Sequence, residues 1–283
     1  MKPAPFDYAR ARSLAEVFDL LEGDAQDARI LAGGQSLLPT LALRLSEPSL
    51  LIDIGALREL RFIEERDGAL HIGALTRHCD LEHHALIAKR FPLIAQAMPH
   101  VAHPAIRNRG TLGGSLSLAD PAAELPACML ALAATIVLAS RDGERRVGAE
   151  DFFQGLYQTD IRPGEVLVRV EIPFCDPASR FHFSEFSRRS GDYAMAGLAA
   201  GRIRTATVAV ELRLVFFGCG DKPVRARAAE RAGPVPGAGD RYAALRAALE
   251  QDLDPQSDSN ASAATRLHLA AVLADRALAV LLK

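Results

Sequence analysis

Apolar positions in the first half of the chain switch repeatedly between helical and strand spacing. Leu14, Val17, Leu20 and Leu21 fall on one helical face behind Ser13-Leu14-Ala15-Glu16, which has the form of a capping box, and Gly23 supplies the stop. Arg29-Ile30-Leu31 then reads as a short buried strand that runs straight into a glycine doublet. Positions 36–45 are apolar enough for a helix with Pro39 in its first turn, and 50–54 predict another strand. A hairpin is expected over 60–64 and 69–73, turned at Asp67-Gly68. Helical spacing returns at 76–85 and 89–98, and an irregular stretch leads to a second glycine doublet. An Ala/Leu-rich helix near 122–133 and a strand near 135–140 follow. Alternation over 165–173 puts Val166, Val168, Val170 and Ile172 on one side of a strand.

Pro173 and Pro177 bracket the best domain boundary. Beyond them, 181–187 and 207–218 read as strands and 241–251 and 264–282 as helices, with loops at 233–239 and 254–262. The pattern predicts an α+β protein: a cofactor-sized region over 1–176, then a smaller unit over 177–283 that starts with strands.

Composition narrows the class further. The 283 residues are 49% hydrophobic, an ordinary globular content, and carry a formal charge of −2 with both signs well mixed, so nothing asks for nucleic acid. Cys79, Cys128, Cys175 and Cys219 lie far apart, as expected for reduced thiols in a cytoplasmic protein. The first residues form no signal-peptide pattern. The longest uncharged run, 125–140, is interrupted by Pro126 and is shorter than a membrane span. The expectation is a soluble, cytoplasmic chain with no integral membrane segment.

The two glycine doublets are Ala32-Gly33-Gly34-Gln35-Ser36 and Thr111-Leu112-Gly113-Gly114-Ser115. A Gly-Gly step has no Cβ to hold a ligand away, so successive amides can turn inward around an anion, and each doublet adjoins a segment that can begin a helix. Ser36, Thr111 and Ser115 add hydroxyls. A single doublet is more often a plain tight turn, but two of them suit one diphosphate. The dinucleotide pattern G-x-G-x-x-G after a strand and the phosphate-loop pattern G-x-x-x-x-G-K-[ST] are both missing, so the cofactor would be held in another way.

The doublets sit in an ordered series: Ala32-Gly33-Gly34-Gln35-Ser36-Leu37-Leu38-Pro39, Leu51-Ile52-Asp53-Ile54, Ile72-Gly73-Ala74, the run Ile106-Arg107-Asn108-Arg109-Gly110 leading into the second doublet, and Ala119-Asp120-Pro121. This series resembles the FAD-binding medium subunit of molybdenum hydroxylases, the group of carbon monoxide dehydrogenase, xanthine dehydrogenase and related aldehyde or N-heterocycle oxidoreductases. The resemblance spans nearly the whole chain and weakens after about residue 200. It implies the FAD-binding fold of the vanillyl-alcohol oxidase type, with α+β subdomains over about 1–56 and 57–176 and a smaller C-terminal α/β domain. It also implies FAD held without a covalent bond.

By position, the resemblance has Leu31, Ala32, Gly33, Gly34, Gln35, Ser36 and Leu37 wrap one side of the diphosphate. Thr111, Gly114, Ser115 and Ser117 would hold the other side, with Ala102 approaching the cofactor. Asp120 and Glu124 would face the ribose or adenine half; a turn-forming Asp-Pro is the alternative for Asp120, and a helix first-turn carboxylate is an equally ordinary reading of Glu124. Leu167 would lie near the adenine or simply pack in the core. Asp192 and Tyr193 would stand near the flavin ring, with an exposed loop tyrosine as the alternative. Arg188 or Arg189 would bias the flavin or be solvated. His78 and Glu82, one helical turn apart, lack a third ligand and fit a polar helix face better than a metal site.

In the resembled family a large molybdenum-pterin subunit oxidises the substrate and a small subunit carries two 2Fe–2S clusters; this chain has neither cofactor's ligand pattern, and its four separated cysteines do not suit an iron–sulfur site. The expected role is therefore an electron-transfer subunit without catalytic side chains of its own, in a dimer of heterotrimers, passing electrons through FAD to oxygen, a quinone or NAD. A stand-alone flavin oxidoreductase and a subunit that has lost FAD are the competing readings. The substrate would be chosen by another polypeptide.

Overall fold

Ser13 caps the first helix as its spacing predicts: its hydroxyl accepts the Glu16 amide at 3.2 Å, and Glu16 reaches back to the Arg12 amide at 2.8 Å. The computed structural model describes residues 2–23, 27–204, 210–233 and 238–283. Its first sheet is parallel. β1 (Asp7–Arg10), β2 (Ala28–Leu31) and β3 (Leu50–Asp53) lie in the order β1-β3-β2, linked through α1 (Leu14–Glu22) and α2 (Leu37–Ala42). Strand β1 was not expected, because its Asp, Tyr and Arg side chains are largely exposed and show no apolar alternation.

The hairpin pairs β4 (Ile63–Arg66) with β5 (Ala69–Gly73). Asp67 and Gly68 both adopt positive φ, 51° and 76°, the turn that Asp-Gly favours. The first strand starts three residues later than the pattern suggests, since Leu60 instead ends a 3₁₀ turn over Arg58–Leu60 and is buried there. The helices expected over 76–85 and 89–98 appear as α3 (His78–His83), α4 (Ala85–Arg90) and α5 (Pro92–Ala97): His84 is extended between the first two, and Phe91, which precedes Pro92, is held out of helical geometry. Next come α6 (Pro104–Arg107), α7 (Leu112–Leu118) and α8 (Glu124–Ala131).

The second sheet is antiparallel. It takes β6 (Thr135–Ser140) and β7 (Gly143–Gly148), and after α9 (Ala149–Phe152) and the small hairpin β8 (Phe153–Gly155) and β9 (Gln158–Thr159) it takes β10 (Val166–Pro173), in the order β4-β5-β10-β6-β7. A bulge interrupts the pairing of β10 with β6 between Leu167 and Arg169. One extra residue reverses the faces beyond it. Val166 and Val168 therefore pack toward the first sheet with Ile52 and Val137, while Leu167, Val170 and Ile172 enter the larger core beside Leu112 and Leu125. The four branched residues do not share one side, as strict alternation would require.

The third sheet orders β11 (Arg180–Phe186), β12 (Ala196–Ile203), β13 (Glu211–Phe217) and β14 (Val224–Arg225) in sequence. Of the strand expected over 207–218, the positions before 210 and, of the loop expected over 233–239, positions 234–237 lie outside the described residues. α10 (Arg227–Ala232), α11 (Ala238–Asp252) and α12 (Ala263–Leu281) complete the chain. Both faces of this sheet are covered. Ala199, Val215 and Phe217 join the core of α5 and α8, and Leu198, Leu214 and Phe216 pack with Leu249 and Leu278 of the terminal helices.

Candidate cofactor site

Strand β2 ends at Leu31, and the chain turns through Gly34 at φ +72° before starting α2. Gln35 ties its amide Nε2 to the Gly33 carbonyl at 3.0 Å, which stiffens the turn. Among the described residues, the backbone amides of Ala32 to Leu37 donate to no protein acceptor. A run of open amides at the carboxyl end of a parallel strand is the donor set an anionic diphosphate needs.

The second doublet is built differently. Thr111 is the N-cap of α7, and its Oγ1 accepts the Gly114 amide at 3.1 Å. The Leu112 and Gly113 amides donate to the carbonyls of Thr76 and Ala74 at 3.0 and 2.8 Å, and the Ser115 amide donates to Thr111. These amides are already engaged, contrary to the expectation that both doublets offer backbone N–H groups. Gly113 is there for packing: a Cβ would come within 2.6 Å of the Ala74 methyl. What this side presents to a ligand is hydroxyl chemistry from Thr111, Ser115 and exposed Ser117. Thr111→Val is expected to lose the cap at a cost of about 1 kcal/mol, and Thr111→Ser to keep it; thermal melts of the two variants check this, and equal melts would refute it.

The two doublets face each other. A Cβ on Gly33 would overlap the Arg109 carbonyl oxygen, and one on Gly114 would touch the Ala32 methyl carbon at 4.0 Å. His78 braces the second turn from behind. Its Nε2 lies 3.0 Å from the Thr111 carbonyl, and burial depresses the imidazole to about 4, so it is the neutral ring that donates there. Sequence spacing suggested a polar helix face for His78 and Glu82, but His78 is buried and Glu82 grips Arg107 through two bonds of 2.7 and 3.0 Å.

Arg107 also donates to the carbonyls of Val101 and Ala102, which holds Ala102 at φ +45°. Gly191, at φ +86°, lies directly over Ala102, close enough that a Cβ would come within 2.7 Å of its carbonyl oxygen. This seats the loop that carries Asp192 and Tyr193 on the segment before the second doublet. Tyr193 is 70% exposed. Its phenol meets Asp120, and partial desolvation together with the Asp120 and Glu124 charges raises it above the usual phenol range. Tyr157, at the tip of the β8–β9 hairpin, bonds the same carboxylate at 3.4 Å and is pushed up to about 12, first by burial. Burial likewise raises Asp120 above the usual carboxylate range, although the Ala122 amide at 2.9 Å opposes it.

The pattern of known proteins agrees with this geometry. The family described as the FAD binding domain in molybdopterin dehydrogenase matches residues 4–175, and the CO dehydrogenase flavoprotein C-terminal domain matches 181–281. The chain belongs to the FAD subunits of the molybdenum hydroxylases. It is 40% identical to subunit alpha of the 6-hydroxypseudooxynicotine dehydrogenase complex of Paenarthrobacter nicotinovorans, over 99% of this chain and 95% of that one. Among solved structures it superposes on a chain of quinoline 2-oxidoreductase from Pseudomonas putida 86 with a TM-score of 0.91 at 42% identity, covering 99% and 98% of the two chains. A chain of carbon monoxide dehydrogenase from Hydrogenophaga pseudoflava gives 0.93 at 34% identity, covering 100% and 99%.

As a FAD subunit the chain is an oxidoreductase component, and the donor set fits its cofactor. The open amides at 32–37 lie against the turn that carries Thr111, with Gly33 on Arg109 and Gly110 and with Ala32 near Gly114, and Ser115 and Ser117 follow on α7. The remaining expected residues divide. Ala102, Asp120, Asp192 and Tyr193 are brought together. Leu167 is 4% exposed in the main core, where packing accounts for it. Glu124 joins Glu185 and His100 instead of standing alone. Arg188 bonds the Ser259 and Asn260 carbonyls at 3.0 and 3.3 Å, which anchors the Tyr193 loop to the C-terminal connection. Tyr157, Arg107 and Glu185 were missed, since each acts through a partner distant in sequence. Two clefts of about 560 and 540 Å³ are lined by charged residues such as Arg146 and Glu165, and by none from the doublets.

Proposed function

We propose that this FAD subunit passes electrons from iron–sulfur clusters of a small partner subunit, through FAD, to a terminal acceptor, while a large molybdenum-pterin subunit oxidises the substrate. The observation that carries the reading is the pairing of open amides at 32–37 with the capped hydroxyl side at Thr111, on a chain that matches its relatives end to end. Those relatives are named as subunits or chains of larger enzymes, among them caffeine dehydrogenase subunit beta of a Pseudomonas species, 37% identical over 99% of this chain. When bound, FAD supplies transfer between one-electron and two-electron partners. The chain's own residues bind and orient it: the amides of Ala32 to Leu37 and the hydroxyls opposite take the diphosphate.

Asp120 and Tyr193 are in contact, so they cannot serve opposite ends of an extended dinucleotide. We place both at the flavin end, with Tyr193 and Tyr157 screening the ring from solvent and Asp120 fixing their phenols. The division into 1–56, 57–176 and 177–283, a cytoplasmic location and a dimer of heterotrimers belong to the same reading. Purification of the native complex tests it. FAD, molybdenum and iron should co-purify with three polypeptides, and the isolated chain should be yellow yet inert toward the organic substrate. A flavin-free chain, or one that turns over substrate alone, would refute it.

A further inference from the structure

Beyond the diphosphate side of the site, one buried group has no partner that the cofactor reading requires. Glu185 on β11 has a side chain only 2% exposed, and neither of its carboxylate oxygens is hydrogen-bonded among the described residues. Nδ1 of His100, in the 3₁₀ turn Met98–His100, stands 3.3 Å from Oε1, close enough to share charge but not aligned for a bond. Glu124, in the first turn of α8, acts on the same two side chains. Glu185 and His100 thus meet between β11 and the turn after α5, and Glu124 opens α8, the helix that packs on α5 and on the neighbouring strands β12 and β13.

An uncompensated buried carboxylate is costly, and a second carboxylate whose charge reaches it adds to that cost. The cheaper arrangement keeps a proton on one of them. The groups that act on Glu124 are Glu185 from β11, His100 from the turn after α5, and Asp120 from the loop before α8. Cys128, one turn along α8, is held as a neutral thiol by burial. His100 is the one basic side chain among those acting on Glu124, and contact with Glu185 raises its imidazole above the usual range. Burial, reinforced by the Glu185 and Asp120 charges, lifts Glu124 to about 7. With imidazolium present, the trio holds one net negative charge when both carboxylates are ionised and none when one is protonated. Asp120 connects this trio to Tyr193, whose phenol also responds to Glu124.

We propose that Glu124, Glu185 and His100 form a proton-storing site behind the flavin end of the groove, which takes one proton from solvent onto a glutamate oxygen when the flavin becomes reduced. One O–H bond forms, a hydronium or buffer acid loses its proton, and no electron moves within the trio. The flavin's part in this rests on the reading above, which puts the ring beside Tyr193.

Redox-difference infrared spectroscopy of the native complex, with the chain carrying ¹³C-labelled glutamate, reads the site directly. Expected is a protonated-carboxyl band that shifts with the label, so is not flavin, grows on reduction near pH 7, and disappears in both Glu124→Gln and Glu185→Gln. Two variants guard against one failing to fold. A label-sensitive band that is missing between about pH 5 and pH 9 overturns the proposal, as does one that survives both substitutions or ignores reduction. If the complex proves to contain no flavin, the electron-transfer reading fails, and pH titration of the same band in the flavin-free protein still decides whether the trio stores a proton: a band titrating near neutrality supports it, and none refutes it.

Discussion

Gly33→Ala is expected to give a folded protein that purifies with little or no flavin. The new Cβ would overlap the Arg109 carbonyl oxygen and lie 3.0 Å from the Gly110 Cα, and both are backbone atoms that no rotamer change can move aside. The two turns must separate. Forced separation in a packed site costs about 1–3 kcal/mol, which corresponds to about a 5- to 150-fold weaker hold on any ligand that needs both turns at once. The fold should survive, because β2 and β3 keep their register up to Leu31 and Asp53. Gly148→Ala is the matched control. Its Cβ would meet nothing nearer than an Asp151 carboxylate oxygen at 3.8 Å, so flavin content should be unchanged. The ratio of flavin to protein absorbance, beside a far-ultraviolet circular dichroism spectrum, checks both. Full flavin content in Gly33→Ala would remove the first doublet from the site.

The elements that the sequence made legible are those with a local cause. Ser13 and Glu16 announce a helix start, and Asp67-Gly68 announces a turn, because both act within a few residues. The doublets were legible as a pair, but not the difference between them: engagement of the Leu112 and Gly113 amides depends on Thr76 and Ala74, which only the folded chain brings near. Strand β12 escaped notice because its Ala-Gly-Leu-Ala-Ala-Gly run has no β-branched or aromatic residue to signal a strand. Close neighbours explain that composition, since a Cβ on Gly197 would overlap the Phe217 ring. The bulge in β10 was hidden for the opposite reason. A continuous Val-Leu-Val run satisfies both faces, so a parity change leaves no polar residue in the core to reveal it. At the site, Asp120 and Tyr193 were named separately, and the resemblance spread them over different parts of FAD; their contact, with Tyr157 added, is a property of three loops meeting.

Arg107→Met should cost the most stability of any single change near the site. The guanidinium donates to both Glu82 oxygens at 2.7 and 3.0 Å and to the Val101 and Ala102 carbonyls at 3.1 and 3.3 Å, so four acceptors depend on it. Methionine fills similar volume but leaves a mostly buried carboxylate and two carbonyls unpaired. Breaking such a pair from one side costs about 3–5 kcal/mol. Removing the second charge as well, in Arg107→Met with Glu82→Met, should recover most of that loss, because the stranded carboxylate is the larger part of it. Flavin retention should not recover in step. Ala102 at φ +45° is an uncommon backbone state for alanine, and among the described residues only Arg107 donates to its carbonyl, with Gly191 packed closely over it. The double variant is thus expected to be nearly as stable as the parent in denaturant unfolding yet to release FAD more readily. Recovery of both together would mean that Arg107 only balances Glu82, and that the Ala102 turn keeps its shape without it.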